Sequence, residues 1–408
     1  MTHPALPDIR ALLGDANVLT GGDTEPYDTP WRGVEYKGTS ALVALPASVP
    51  QLQALVRLCA DRRIPIVPQG GNTGLVGGST PDASGNEIII STKRLRAIRA
   101  IDGANASATV EAGLTLAETK EKLAQQGWLF PLGMASEGSA TIGGCLATNA
   151  GGIQVLRYGM MRELTIGIEA VLPDGSLFSD LSGLRKDNTG YGLSQLLIGS
   201  EGTLAVLTAA SLRLVPMPKQ RVTAWASLPD ITSALALLNL ARARCDSFLT
   251  AFELIGGDAL SLVTSHIEGC RAPVAETLPC HVLLECQAAD PDLPIADALE
   301  RTLADAMEKT LVHNAVLARS DTEAASLWKL REAITEAQRH AGVTINFDIS
   351  LPIARLDEWV EAARKAVHKT HADTSIIMFG HLGDGNLHFN LLERDPAKKD
   401  AFLARKPE

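Results

Sequence analysis

No apolar run in this sequence approaches the ~18–20 residues that cross a bilayer, so no transmembrane segment is expected. Basic charge is in short supply: 37 Lys and Arg stand against 47 Asp and Glu, a formal charge of −10. Phosphate-backbone binding needs a basic face, so a nucleic-acid partner is not expected. The cysteines Cys59, Cys145, Cys245, Cys270, Cys280 and Cys286 form no C-x-x-C pair and share no spacing, which favours buried thiols over a disulfide framework or a zinc site. Internal repeats and low-complexity tracts are absent. The start, MTHPALPDIR, has neither the basic-then-apolar pattern of a secretory signal nor the Arg-rich pattern of a transit peptide. A cytoplasmic location is the resulting expectation.

What is present is 408 residues, 46% hydrophobic and 21% charged. That is a globular composition, long enough for about two or three domains of ~100–200 residues. Ser48 and Pro50 open a helix carrying Leu52, Leu55, Val56 and Cys59 at helical spacing. Thr115 and Glu118 form a capping box for a helix over Leu116–Gln126. Strands are expected near Ile64–Val67, Glu87–Ser91, Ala108–Glu111 and Ile166–Leu172, with a strand pair over Thr203–Val215. Pro216 and Pro218 mark a break. Beyond it helices at Ile231–Arg244, Ala296–Leu311, Glu323–His340 and Leu356–Lys369 alternate with apolar strands such as His281–Glu285, and glycine is sparse until Gly380.

Three glycine-rich tracts stand out in the first half. Five glycines fall between Gly70 and Gly78, after a strand and without Lys or Arg. A glycine backbone can turn with positive φ and approach a pyrophosphate closely, so this stretch reads as a phosphate cradle or, equally, as a flexible surface loop. Neither G-x-x-x-x-G-K-[ST] nor G-x-G-x-x-G is present, which excludes a P-loop and a Rossmann fingerprint. A second tract spans Gly133–Gly152, and a third reads Ile198-Gly199-Ser200-Glu201-Gly202-Thr203-Leu204. One ligand of dinucleotide length, threaded against three Gly/Ser/Thr-rich backbones, would require this combination.

In the second half, Ser375–Phe379 reads as a strand and Gly383-Asp384-Gly385-Asn386 as a tight reversal. Alternation places His388 and Asn390 on one face of the returning strand, with Leu387, Phe389 and Leu391 on the other. His381 and His388 are then either paired structural histidines or half of a metal site. Arg331 and Thr335, at i and i+4, share a helix face that is functional or simply solvated.

The stretches PQGGNTGLVGGS, GMASEGSATIGGCLATNAGG, NTGYGLSQLLIGSEGTLAVLT and GHLGDGNLHFN resemble, in order, the vanillyl-alcohol oxidase superfamily, in its D-2-hydroxyglutarate dehydrogenase, D-lactate dehydrogenase and glycolate oxidase flavoprotein branch. The resemblance runs from about residue 36 to about residue 400. It implies an α+β protein: a lead-in over 1–35, a two-part PCMH-type FAD-binding domain over 36–218, and an α+β cap (substrate) domain with an antiparallel sheet over 219–408. It implies non-covalent FAD, because the first loop lacks a His or Cys linker and Cys145 reads as a small packed residue.

On this resemblance FAD is held by Pro68, Gly70, Gly71, Asn72, Thr73, Gly74, Gly77, Gly78 and Ser79, by Pro131, Gly133, Ser136, Gly138, Thr141, Gly143, Gly144, Asn149, Gly151 and Gly152, and by Glu201 and Gly202. His381 and His388 are the implied ligands of a divalent metal, zinc or manganese. Arg331 and Thr335 are the implied carboxylate site. Asn390 counts as both a substrate and a cofactor contact. The implied reaction is metal-assisted oxidation of a D-2-hydroxy acid to the 2-oxo acid, with hydride transfer to flavin N5 and His388 at the reacting group. Electrons would pass to an electron-transferring flavoprotein or a quinone, and a homodimer is compatible with the family.

Two departures qualify the resemblance. Asn346 stands where the family commonly has a lysine that helps hold the substrate, which weakens the case for a dicarboxylate and favours D-lactate, glycolate or a larger hydroxy acid. The family's S-A-E-H-G-like segment, whose Glu is a third metal ligand and whose His takes the hydroxyl proton, is not found before Glu408. The expectation is therefore a cap domain truncated at its C-terminal end, and the competing reading is a flavin-binding protein without turnover.

Overall fold

A computed structural model describes residues 3–30, 36–276 and 278–406. It is of the α+β class expected from the sequence. The chain divides into two compact units, one formed by Met1–Gly152 with Tyr158–Met217, the other by Ile153–Arg157 with Pro218–Glu408. Among the described residues no helix is long and apolar enough to cross a membrane.

Among the described residues the first unit contains two main sheets, of four and five strands, and a separate two-stranded ribbon. In the smaller, Val18–Leu19, Leu42–Ala44, Ile88–Ser91 and Ile66–Gln69 lie side by side in that order, and the last three strands run parallel. Strands buried on both faces need continuous apolar sequence, and Ile88, Ile89 and Ile90 are all fully buried. Helices Leu6–Leu13 and Val49–Asp61 cover one face. Ser48 caps the second of these, its hydroxyl accepting the Gln51 N–H, and Leu52, Leu55, Val56 and Cys59 point inward as their spacing requires.

The larger sheet is antiparallel, in the order Ile98–Asp102, Ser107–Glu111, Val206–Arg213, Thr165–Val171, Leu177–Ser179. The strand pair expected over Thr203–Val215 is instead one long strand; Val215–Pro216 leaves it to pair with Trp128–Leu129. The capping box of helix Leu116–Ala124 is complete, with both Thr115 and Glu118 donating and accepting as the motif predicts.

An eight-stranded antiparallel sheet builds the second unit. Its path is Asn314–Leu317, Gln220–Leu228, Cys280–Ala288, Leu249–Gly256, Ser375–His381, Asn386–Glu393, Val343–Ile345, and Asp348–Ser350 also pairs with Asn386–Glu393. Alternation gives the two faces different chemistry. One presents Ala226, Phe252, Leu254, Leu284, Leu387 and Phe389 to helices Ile231–Cys245, Ile295–Glu308 and Leu356–Thr370. The other carries Thr223, Ser227, Glu253, His281, Glu285, His381, His388 and Asn390 among apolar residues, and packs against Gly257–His266, Asp321–Glu332 and Ile334–Ala341. The helix expected over Glu323–His340 is interrupted at Ala333 (φ −77°, ψ −4°), although no Gly or Pro marks the spot. Ile153–Arg157, which the sequence reading leaves in the first half, joins this unit: Arg157 Nη1 donates to the Gln287 carbonyl at 2.7 Å.

His281 tests how dry the polar face is. It is 1% exposed, its Nδ1 lies 2.8 Å from Ser227 Oγ, and burial pushes its pKa down to about 4. An unfolded chain protonates this ring below its ordinary value near ~6.5 while the folded chain keeps it neutral until about 4. Its contribution to stability is therefore whole above the unfolded pKa and is lost as pH falls, by up to about 3 kcal/mol. Denaturant unfolding between pH 4.5 and 7.5 should give a shallower pH slope for His281→Asn than for the wild type. Coincident slopes would exclude this linkage.

Candidate functional site

Two constellations emerge, one in each unit. In the first unit the three glycine-rich tracts converge. Strands Ile66–Gln69 and Ile88–Ser91 run parallel, so their carboxyl ends, Gln69 and Ser91, are neighbours, and the first tract leaves from Gln69. The second tract lies directly against it: a methyl group on Gly71 would overlap the Ser139 carbonyl, and one on Gly70 would overlap the Thr141 hydroxyl. Thr141 caps the short helix Ile142–Ala147, whose first turn contains Gly143 and Gly144. The third tract is tied in by Glu201 N–H to the Ala147 carbonyl (2.8 Å) and Gly199 N–H to the Leu146 carbonyl (2.9 Å).

Backbone strain marks the same place. Asn72, Asn149 and Glu201, one in each tract, adopt φ of 55°, 46° and 52°, a region that costs a side-chain-bearing residue energy and is retained where surroundings enforce it. Asn72 is fixed by donating to the Thr29 carbonyl at 2.8 Å, and Asn149 by accepting the Arg162 N–H at 2.9 Å.

The architecture leaves unfilled capacity for a polar ligand. Among the described residues, Gln69 Oε1, Ser91 Oγ, Ser40 Oγ and Thr29 Oγ1 are buried without a partner, and the carboxyl ends of parallel strands are where such sheets bind ligands. Gly138 faces open space and Gly74 meets only Ser79 Oγ at 4.0 Å. A cleft of about 500 Å³ opens beside Pro68, Gly77, Gly78, Glu201 and Gly202, within the range of small-molecule sites. Of the other expected residues, Thr73 and Ser79 lie in the first loop, Pro131, Gly133 and Ser136 in the second tract, and Gly151 and Gly152 at its end, with Gly152 pressed against the Gly133 carbonyl. Open glycine backbones beside unpartnered polar atoms fit a polar, phosphate-bearing cofactor such as FAD. Cys145 is a core residue whose thiol burial pushes up to about 12.

The second constellation lies on the polar face of the eight-stranded sheet. Glu253 pairs across strands with His381, and Phe379 with His388. Glu253 is 1% exposed; its Oε1 lies 2.6 Å from His381 Nδ1, and its Oε2 accepts from Arg331 Nε at 2.8 Å. The Arg331 guanidinium sits 4.9 Å over the Phe379 ring, whose other neighbour is His388 at 4.8 Å. The two imidazole centroids are 6.1 Å apart. Arg331, His381 and His388 are thus brought together.

Thr335 is half-buried on the next helix, across the Ala333 interruption, so the shared face drawn from i, i+4 spacing does not hold as one straight helix. Asn390 is buried with its amide engaged, Nδ2 donating to Gln338 Oε1 (2.9 Å) and Oδ1 accepting the Phe347 N–H (3.3 Å). Asn346 is exposed.

Electrostatics separates the two rings. Burial alone would lower the His381 pKa, but the Glu253 charge outweighs it and raises the value above ordinary. Burial pushes His388 down to about 4, only partly opposed by Asp348, whose Oδ1 is 3.5 Å from His388 Nδ1. Burial would raise Glu253, yet Arg331 and His381 hold it below its ordinary value. Among the described residues no group of three or more His, Cys, Asp or Glu forms a metal-binding cluster. Glu253 was missed by the sequence reading. Its signal was a single acid inside the apolar strand Leu249–Gly256, since buried carboxylates are rarely tolerated without a task.

The sequence matches the family described as FAD binding domain over residues 40–180 and that described as FAD linked oxidases, C-terminal domain, over residues 217–405. It is 36% identical over 384 residues to the mitochondrial D-2-hydroxyglutarate dehydrogenase of Arabidopsis thaliana, covering 94% of this chain and 67% of that protein. It is 35% identical over 405 residues to D-2-hydroxyglutarate dehydrogenase of Xanthomonas citri, covering 99% and 84%. A Schizosaccharomyces pombe protein provisionally named a mitochondrial D-lactate dehydrogenase is 34% identical, covering 96% and 76%.

Solved structures share the fold. Alkyldihydroxyacetonephosphate synthase aligns with a TM-score of 0.80 at 17% identity, covering 100% of this chain and 78% of that one. Substrate-bound p-cresol methylhydroxylase aligns with 0.75 at 17%, covering 99% and 85%. The expected cytoplasmic location is corrected by the relatives' names, several of which say mitochondrial. Targeting is carried by segments that receptors read and that do not shape the fold.

The contact between the first two tracts yields a paired test. Gly71→Ala must displace a backbone carbonyl and should destabilise the protein by about 2 kcal/mol or more. Gly138→Ala meets open space and should stay within about 0.5 kcal/mol. Denaturant midpoints check both, and equal midpoints would show that the tracts do not touch.

Proposed function

The chain belongs to the family of FAD-linked oxidases, and within it we propose that the protein oxidises a D-2-hydroxy acid of the 2-hydroxyglutarate or lactate type to the 2-oxo acid. The observation that carries this reading is the Arg331 guanidinium, held beside two imidazoles on a buried sheet face. A planar guanidinium grips a carboxylate through two parallel hydrogen bonds. With Nε committed to Glu253, the Nη edge is the one offered to the substrate, and Thr335 adds a hydroxyl one helix further on. The imidazoles face the 2-hydroxyl. His388, neutral at pH 7, accepts its proton at the ring nitrogen that Asp348 does not engage.

When bound, FAD supplies the acceptor for the hydride that leaves C2. The three glycine tracts would hold it without a covalent bond, since Cys145 is packed into the core as a protonated thiol. The electrons then leave to an acceptor such as an electron-transferring flavoprotein or a quinone. For a divalent cation, zinc or manganese, His381 and His388 offer at most two nitrogen donors, half of a tetrahedral set and, for His388, only in place of its proton-accepting role, and the described residues do not complete a site.

One observation favours a neighbouring specificity: Asn346 is exposed and uncharged, so no second cation is added there for a distal carboxylate. D-lactate or glycolate then suits the site better than 2-hydroxyglutarate.

Anaerobic mixing of the FAD-loaded protein with D- and L-2-hydroxyglutarate, D- and L-lactate and glycolate tests the reading. Only the D-enantiomers, or glycolate, should bleach the flavin's visible absorption. An FAD-loaded protein unmoved by the whole panel would leave a flavin-binding protein without turnover. In Asn346→Lys, the ratio of kcat/KM for D-2-hydroxyglutarate over D-lactate should rise about tenfold, the scale of one charge-assisted contact. An unchanged ratio removes Asn346 from the specificity site.

A further inference from the structure

Glu253 is a buried acid that the reaction itself does not consume, yet it touches both halves of the substrate cluster. We infer that Glu253 is the positioning residue of this site: its carboxylate fixes the Arg331 guanidinium and the His381 ring as one rigid unit, so that the group recognising the substrate carboxylate and a group facing its hydroxyl keep a set separation. This rests on the reading of Arg331 and His381 given above.

The geometry assigns each oxygen a separate task. Oε2 accepts from Arg331 Nε, and Oε1 meets His381 Nδ1. An ionised carboxylate only accepts hydrogen bonds, so His381 Nδ1 must carry the proton. In the neutral ring the lone pair is then confined to Nε2, the nitrogen left for the hydroxyl or for a cation. Arg331 is constrained a second time by the Phe379 face at 4.9 Å. Fixing Nε and the ring plane together leaves the guanidinium one orientation in which its Nη edge is exposed to a ligand.

The same helix supplies an internal control. Glu285, on the strand adjacent to Glu253, is also buried and also anchors helix Asp321–Glu332: it accepts from Trp328 Nε1 at 2.6 Å and from Thr223 Oγ1 at 3.0 Å. It holds the helix with no hydrogen bond or ion pair to Arg331 or His381. Loss of either acid should therefore loosen the helix, but only loss of Glu253 should disturb the site.

The test compares Glu253→Gln, Glu285→Gln and wild type as FAD-loaded full-length proteins, with two readouts. In kinetics with the best D-2-hydroxy acid, Glu253→Gln should lose about 10- to 100-fold in kcat/KM, with KM raised and kcat lowered together. Glu285→Gln should stay within about threefold even if its unfolding midpoint drops as far. In ¹⁵N-histidine spectra at a pH where the rings are neutral, His381 should be the Nδ1–H tautomer in wild type and in Glu285→Gln, and should shift toward Nε2–H in Glu253→Gln. A kcat/KM for Glu253→Gln within threefold of wild type overturns the inference, as does an unchanged tautomer. If Glu253→Gln does not fold, the wild-type spectrum decides, because an Nε2–H His381 is incompatible with the proposed role. A wild-type protein that no hydroxy acid reduces would remove the functional reading, and the tautomer measurement would still report on Glu253.

Discussion

An ionised carboxylate inside a sheet is costly unless charge and hydrogen bonds surround it, and this constraint organises the second unit. Glu253 sits in the central region of the eight-stranded sheet with one cation on one oxygen and an imidazole on the other. Meeting that demand brings helix Asp321–Glu332 onto the polar face by its Arg331 end. Glu285 repeats the arrangement one strand away with Trp328. The interruption at Ala333 follows: Arg331 is held on the sheet by Glu253, while Ile334 and Ala337 beyond the break are fully buried in the apolar part of the same face.

The first unit obeys a different constraint, steric instead of electrostatic. Its tracts come together because side chains are missing where backbones meet. Gly71 against the Ser139 carbonyl and Gly152 against the Gly133 carbonyl are contacts that no other residue could make without moving the chain. The same glycine richness leaves the open faces at Gly74 and Gly138. One composition thus serves two purposes: some glycines hold the cradle shut against itself, and others leave room for what it binds.

Much of this was legible locally. Ser48, Pro50 and the Leu52, Leu55, Val56 and Cys59 spacing specify a helix within one short segment, and the Thr115–Glu118 capping box closes within four residues. The Gly383-Asp384-Gly385-Asn386 reversal and the alternation after it placed His388 and Asn390 correctly opposite Leu387, Phe389 and Leu391. The break at Ala333 was not legible, because Arg-Glu-Ala-Ile-Thr-Glu reads as uninterrupted helix and the interruption comes from packing. Location was not legible either, since the features that direct a protein to a compartment do not shape its core.

By itself the sequence determined where backbones can approach, which segments become helices and strands, and which family's chemistry the motifs resemble, because each of these is fixed by residues within a few positions of one another. Only the tertiary structure decided that Glu253 is the partner of both Arg331 and His381, which lie 78 and 128 residues away along the chain. Strand order brings these three residues together, and strand order is a non-local property that local sequence does not record.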